Sequence, residues 1–349
     1  MSPAYYLVGA LGLAVLMVVH ESGHYFSAKR FGMRVTRFSI GFGPRLYKHQ
    51  PAGSPTTFQI ALIPFIAYVQ IAGMNPYEEN DPKDKGSYQN ASLWGRVCTI
   101  AAGPLANYFF ASVLFFIGFL VGGHTVEDRV SMRISVDPEG PAAMAELRDG
   151  DKVVSVMGTP IPDWATLIKQ VSSHAGEPID IEVQREGRPQ TFHVSVSPRP
   201  KGAENEGKIM IGPEVHTTPI GVLEAAKLGV IEPPKVVGEL VVGLVRMISG
   251  KEKLQASGPV GMAKMAAAAA KSGPGDLFKF LAVLSAYLGG FNLLPIPALD
   301  GGRLLFLGFE AASRRKPDAK VEAQIHAVGL LMMLMLIAVV TYADLTPKH

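Results

Sequence analysis

The chemistry of this chain concentrates in one short stretch, His20-Glu21-Ser22-Gly23-His24. On a helix, positions i and i+4 share one face, so both imidazoles can turn toward one metal ion. Two imidazoles and a carboxylate suit zinc, with a fourth position left for water. Glu21 lies beside the pair, where it can take a proton from that water. A motif with so few fixed positions also arises by chance, and the bland alternative is two histidines and a glutamate facing lipid headgroups. Its location sets it apart: it ends an apolar run over residues 5–19, long enough to enter a bilayer. Ionisable groups at that depth cost roughly 2.5–3.5 kcal/mol each at a helix centre, and they mark functional sites by default.

The elements that must position this motif are membrane elements. Of 349 residues, 48% are hydrophobic and only 18% charged, which points to an integral membrane protein. A net charge of +3 makes no case for nucleic acid. The single cysteine, Cys98, excludes an internal disulfide and a cysteine-rich metal site. A spanning helix needs about 20 apolar residues. Residues 4–24, 97–121, 277–294 and 325–342 approach this, giving four expected spans. The first lacks a basic leader and a small-residue cleavage site, so it is expected to be retained, not removed as a signal peptide. Lys29, Arg30, Arg34, Arg37, Arg45 and Lys48 follow the first span. Arg303, Arg314, Arg315, Lys316 and Lys320 lie between the third and fourth. Basic loops stay in the cytoplasm, which puts the N-terminus, the long segment after the second span and the C-terminus outside. The histidine motif then falls toward the cytoplasmic side.

Residues 35–72 pattern as strands, with Gly41 and Gly43 as bends in the first and Pro64 interrupting the second. Two readings stand open. One is a plain cytoplasmic hairpin. The other is a hairpin re-entering the membrane beside the motif, tolerated where protein or a water cavity covers it, with an edge that could pair with an extended substrate. Residues 75–92 form a polar loop. Within the second span, Ala102-Gly103-Pro104-Leu105-Ala106-Asn107 places a polar Asn107 in an apolar helix, where it needs a partner on a neighbouring helix or in the active site.

Residues 126–200 change character: strands over 134–136, 152–157, 179–185 and 191–196 and helices over 141–147 and 164–172 make one β-rich domain. Residues 219–249 are amphipathic, with Pro233-Pro234 predicted to separate two helices. Ser257-Gly258-Pro259-Val260-Gly261 precedes an Ala-rich helix over 262–271. The third span ends in Asn292-Leu293-Leu294-Pro295-Ile296-Pro297-Ala298-Leu299-Asp300-Gly301-Gly302. Its prolines stop the helix at its cytoplasmic end. Asp300, in a Pro/Gly-framed turn, is the candidate third ligand; its alternative is a helix cap. Asn292 is a second buried polar candidate, able to hydrogen-bond a substrate backbone or the turn.

Taken together, these stretches resemble the site-2 protease family of intramembrane zinc metalloproteases, in the bacterial branch of the regulator-of-sigma-E protease. The likeness covers almost the whole chain. His20-Glu21-x-x-His24, Phe38-Ser39-Ile40-Gly41-Phe42-Gly43-Pro44, Ala102 to Asn107, Ser257-Gly258-Pro259-Val260 and Asn292-x-x-Pro295-x-Pro297-x-Leu299-Asp300-Gly301 occur in family order. The resemblance implies Zn2+ held by His20, His24 and Asp300, with Glu21 as base. It implies a PDZ domain at 126–200, supported by Gly140-Pro141-Ala142-Ala143 and by residues 147–154, and a membrane-re-entrant hairpin at 35–72. Gly41, Gly43, Tyr68, Asn107 and Asn292 become candidates for binding or positioning substrate.

The expected fold is a polytopic α-helical membrane protein with four transmembrane helices, a re-entrant β-hairpin and one inserted extracytoplasmic PDZ domain. Its parts are a membrane core at 1–125, the PDZ domain at 126–200, amphipathic helices and a GPV loop at 201–275, and a second membrane core at 276–349. The expected activity is hydrolysis of peptide bonds within single-pass transmembrane helices, such as anti-sigma factors or remnant signal peptides, after a first extracytoplasmic cut. The expected location is the bacterial cytoplasmic (inner) membrane. Two departures stand out. Well-known members carry tandem PDZ domains where this chain has room for one, and Pro64 to Gln70 replaces a pattern that usually holds Gly-Gly and Lys. The rival readings are a PDZ membrane scaffold with structural zinc, which has no need of Glu21, and a zinc or ion transporter, which has no need of the appended domain.

Overall fold

The computed structural model describes residues 2–75, 81–138, 140–196, 209–250 and 258–345, with the side chains of 64–66, 248, 259, 319 and 343–345 excepted. Residues 76–80 of the polar loop, Ser257 of the GPV motif and the side chains of Pro64, Phe65 and Ile66 therefore lie outside it. The chain forms two compact units, Met1–Gly122 with Pro219–His349, and Gly123–Thr218. In chain order, α1 (Pro3–Arg30), β1 (Val35–His49), β2 (Thr57–Ile71) and α2 (Leu93–Gly122) begin the first unit. The second contains β3 (His124–Asp128), β4 (Ile134–Val136), α3 (Pro141–Met144), β5 (Lys152–Val156), β6 (Thr159–Pro160), α4 (Trp164–Ser173), β7 (Pro178–Arg185), β8 (Arg188–Ser195) and β9 (Ile211–Thr218). The first resumes with α5 (Val222–Ile248), α6 (Pro259–Ser272), α7 (Pro274–Asn292), α8 (Asp300–Ser313) and α9 (Ala319–Leu345).

Helix α1 starts where Ser2 caps it, with Pro3 in the first turn, a position where a missing N–H costs nothing. Its buried residues Leu16, His20, His24 and Ala28 recur every fourth position and form one stripe. Both histidines ride that stripe. The helix continues to Arg30, so the motif sits inside it and not at its end as the apolar run suggested. Tyr25 and Ala28 hold the extra turns by packing with Met33, Val35, Phe38 and Ile71 of the hairpin.

The facing stripe of α2 is Arg96, Thr99, Gly103, Asn107, Ala111, Leu114 and Gly118. Small residues let membrane helices approach closely. A Cβ on Gly23 of α1 would stand 2.2 Å from the Ala102 carbonyl oxygen. One apolar core joins Leu16 of α1, Leu114 and Phe115 of α2, Ala225 and Val236 of α5, and Leu281 and Ala286 of α7. Helix α5 runs unbroken through Pro233 and Pro234, where two helices were predicted. The packing of Ala225, Leu228, Val236 and Val237 into this core outweighs the donors that the two prolines remove.

Among the described residues, three helices are long and apolar enough to cross a membrane: Pro3–Arg30, Leu93–Gly122 and Lys320–Tyr342. Helix α7, the fourth expected span, is 19 residues long and carries Asp276 and Lys279 in its first two turns. The stretch after Asp300, read as loop, is α8. Arg96 holds it to α2 through a two-pronged ion pair with Glu310, at 2.9 Å (Nη1–Oε2) and 2.5 Å (Nη2–Oε1).

The hairpin is more folded than two plain strands. Residues 37–40 of β1 pair with 57–60 of β2 on one side and with 67–70 on the other, because β2 bends between them. Gly41 and Gly43 take φ of +95° and +91°, which glycine alone adopts readily, and a Cβ on Gly41 would meet the Ala61 carbonyl oxygen at 2.7 Å.

The second unit follows its sequence pattern closely. A four-stranded antiparallel sheet runs β6-β5-β7-β8, and β9 lies between β3 and β4. Trp164, Leu167 and Val171 bury one face of α4 beside Ile179, Ile181 and Val183. The unit reaches from Gly123 to Thr218, beyond the expected 126–200, because β9 pairs antiparallel with both β3 and β4.

Asp151, 2% exposed, accepts hydrogen bonds from Arg185 Nε at 2.8 Å, Arg185 Nη2 at 2.7 Å and the Arg148 amide at 2.9 Å. Burial pushes its pKa up, but the Arg185 guanidinium and the Arg148 amide together hold it below the usual carboxylate range. A lowered folded-state pKa contributes stability that is complete above the unfolded value of about 3.9 and is lost as pH falls through the folded value. Amide protection factors in β5 and β7 are therefore expected to fall as pH drops below about 4. Asp151→Asn should flatten that acid dependence; an unchanged dependence in the variant would remove Asp151 from the explanation.

Candidate metal centre

Three donor atoms converge where α1 meets the start of α8. His20 Nε2 lies 3.1 Å and His24 Nε2 3.3 Å from Asp300 Oδ2, and the two Nε2 atoms lie 3.2 Å apart. Zinc bonds of about 2.0–2.1 Å at tetrahedral angles put neighbouring ligand atoms about 3.3 Å apart, so the triangle has the size of one face of a zinc site. Both histidines are buried, and Asp300 Oδ2 is buried with no donor aligned on it despite two nitrogens in reach. Three lone pairs facing one point suit a cation better than a hydrogen bond.

The outer ring atoms fix the tautomers. His24 Nδ1 lies 2.8 Å from the Thr99 carbonyl oxygen. A carbonyl only accepts, so Nδ1 carries the proton and Nε2 keeps its lone pair for a metal. His20 Nδ1 lies 3.2 Å from the side-chain amide of Asn107, which is fully buried and whose Oδ1 has no partner among the described residues. For His20 to bind through Nε2, its Nδ1 must donate. The amide then presents its oxygen, which a half-turn about the side chain supplies without moving any other atom. Ser285 of α7 holds the same residue by donating to the Asn107 carbonyl at 2.8 Å.

Helix α2 thus supports both imidazoles, from Thr99 and Asn107, two turns apart. Gly103 lies between them against the face of His24: a Cβ there would stand 2.2 Å from Nε2. Asp300 is the first residue of α8. The cap position is Leu299, and no side-chain hydrogen bond caps this helix, so the carboxylate points at the histidines and not at the helix end. Gly301 allows the turn to fold back, since a Cβ would meet the Leu294 and Leu293 carbonyl oxygens at 2.1 and 2.4 Å. Glu21 is half-buried, with His20, His24, Asp300 and the Val69 backbone amide as its polar neighbours.

The remaining candidates sit elsewhere. Gly41 and Gly43 shape the hairpin bends. Tyr68 accepts from Arg37 Nη1 at 3.4 Å and Gln59 Nε2 at 3.3 Å, both within the hairpin. Asn107 backs His20 from a position with no exposure, so it orients a candidate ligand and offers no surface to substrate. Asn292, expected to be buried, is half-buried because α7 ends there and the chain turns away. Thr99 escapes sequence reading altogether, since any residue supplies a carbonyl.

The chain matches peptidase family M50 over residues 8–336. It belongs to that family. The resemblance carried by the motifs therefore holds, and this M50 peptidase is an enzyme, which the scaffold and transporter readings are not. Zinc metalloprotease RasP of Geobacillus kaustophilus is 30% identical to it, over 95% of this chain and 95% of its own length. Putative zinc metalloprotease mll0638 of Mesorhizobium japonicum is 33% identical, over 95% and 96%. Regulator of sigma-W protease RasP of Bacillus subtilis is 28% identical, over 95% of each.

Proposed function

We propose that this M50 peptidase is an intramembrane zinc metalloprotease that hydrolyses peptide bonds within single-pass transmembrane helices. His20, His24 and Asp300 hold Zn2+, and Glu21 is the general base. The observation that carries this reading is the 3.1–3.3 Å triangle of Nε2, Nε2 and Oδ2, set between helices of membrane length. Bound zinc supplies a Lewis acid that acidifies a water and polarises a peptide carbonyl. Thr99 and Asn107 keep the imidazoles aimed. Glu21 takes the water's proton and returns it to the leaving amine.

A substrate helix hides its carbonyls in internal hydrogen bonds, so it must unwind before cleavage. Residues 67–71 of β2 form the outer strand of the hairpin, with the Val69 amide beside Glu21, a place where an extended segment can add as a further strand. The hairpin tip exposes Phe42, Leu46, Tyr47, Ile60, Leu62 and Ile63, which supports its re-entry into lipid. The burial of Leu281, Ala282 and Ala286 of α7 among α1, α2 and α5 supports α7 as the fourth span. The unit Gly123–Thr218 reads as the PDZ domain, outside the cytoplasm, and selects substrates already trimmed there. The basic residues after α1 and around α8 support an active site on the cytoplasmic side of a bacterial inner membrane. The name of the B. subtilis relative, a regulator of sigma-W protease, favours anti-sigma factors among the substrates; remnant signal peptides fit the same chemistry.

The test is metal removal. Purified protein should cleave a single-pass reporter helix, lose that activity when 1,10-phenanthroline strips its zinc, and regain it on zinc addition. Cleavage that persists in zinc-free protein would overturn the reading.

A further inference from the structure

We propose that His326 of α9 is a positioning residue for Asp300: it anchors, through the Ala298 backbone, the turn that delivers this carboxylate to the histidine pair. The proposal rests on the metal-site reading above.

Ala298 precedes Asp300 by two residues and takes φ of +75°, in the left-handed region. A side chain there is strained and persists only when its surroundings over-determine it. The surroundings are α8 and α9. The Ala298 amide donates to His326 Nδ1 at 2.9 Å. One turn further along α9, Gly329 lies so close that a Cβ would stand 2.4 Å from Pro297 Cβ and 2.7 Å from its carbonyl oxygen. From the α8 side, a Cβ on Gly302 would stand 2.5 Å from the Ile296 carbonyl oxygen and 3.2 Å from His326 Cε1. The turn is thus gripped between the first turn of α8 and one face of α9.

The imidazole is built for this single task. Its side chain is 12% exposed, its ring lies 5.8 Å from that of Phe306, and among the described residues Nε2 has no hydrogen-bond partner, with Glu322 Oε1 3.9 Å away. Accepting at Nδ1 requires a neutral ring with its proton on Nε2. The carbonyls of the interior of α9 are committed to the helix, so from α9 only a side chain can take the Ala298 amide. Among the described residues Asp300 Oδ2 has no hydrogen-bond donor, so the backbone turn bears on where it sits.

The test uses the full chain in detergent and follows zinc release to a chelator together with steady-state cleavage. Loss of a group that orients a metal ligand costs about 10–100-fold in affinity. His326→Leu should release zinc about 10–100-fold faster and lower kcat with little change in KM. His326→Asn, whose Oδ1 can accept the Ala298 amide, should stay near wild type. His326→Leu in the Ala298→Gly background, where the positive φ carries no strain, should recover much of the retention. A folded Leu variant that keeps zinc as wild type does overturns the proposal. If the Leu variants do not fold, 15N spectra of wild-type histidine decide: a His326 ring protonated on Nδ1 overturns it, and the Nε2–H form with a hydrogen-bonded Nδ1 upholds it. His20→Ala separates the two levels. If it retains stoichiometric zinc, the metal site itself is wrong; if it loses zinc while His326→Leu does not, only the role of His326 fails.

Discussion

Glu21→Gln is expected to lower cleavage of a reporter helix by about 10²–10⁴-fold, the usual contribution of a positioned acid–base group, while zinc stays at about one per chain. Glutamine keeps the shape of the side chain and its ability to hydrogen-bond, but it cannot take a proton. Glu21 is not a member of the candidate ligand triangle formed by His20, His24 and Asp300. Its loss should therefore leave metal binding intact and remove only the proton transfer. The factor corresponds to roughly 3–5 kcal/mol of barrier. Zinc content measured beside activity makes the result readable. A variant that holds zinc and does not cleave assigns the base. A variant that cleaves as wild type does shows the base to be elsewhere. If wild type also holds zinc and cleaves none of several trimmed membrane helices, the proposal that single-pass helices are its substrates fails.

Gly103→Ala should empty the metal site altogether. An added Cβ would lie 2.2 Å from His24 Nε2, 2.5 Å from Cε1 and 2.8 Å from Cδ2. The ring cannot retreat without losing its Nδ1 contact with the Thr99 carbonyl or its place in the triangle. Nor can the helices part cheaply, because Gly23 is already packed against Ala102. Alanine is the better helix former by about 1 kcal/mol, so propensity alone predicts a gain. Loss of zinc and of cleavage, against that gain, would identify the contact as the cause. Gly308→Ala in α8 is the control, since nothing lies within 4 Å of its added Cβ. It should leave both readouts unchanged. A Gly103→Ala protein with full zinc would show that α1 and α2 yield more than their packing implies.

Much of the molecule is legible in the chain because its signals are local. The four-residue spacing of His20 and His24 puts them on one helix face whatever surrounds them. Strands β4, β5 and β7 and helix α4 come within a residue or two of expectation, while β8 begins three residues early and β6 was not expected; alternation, turn glycines and the Asp163 cap act over a few residues. The glycines at 41 and 43 announce bends that no other residue adopts readily. Asp300 stands out as a carboxylate in a rigid turn at a membrane boundary. The sequence by itself therefore determined the membrane class, the family motifs and the identity of the candidate ligands.

Only the tertiary structure decided what holds them. Nothing local assigns β9 to the strands 75 to 94 residues before it, joins α5 across its prolines, or turns the stretch after Asp300 into a helix tied by Glu310 to Arg96. Asn107 announces in the sequence that it needs a partner, but that the partner is His20 follows from how α2 lies on α1. The Thr99 carbonyl, the bare backbone at Gly103 and the His326 ring carry no motif, because their roles depend on close approach between segments 75, 79 and 28 residues apart. Residue type limits which atoms can bind a metal. The packing of small residues between helices decides which of them meet, and at what distance.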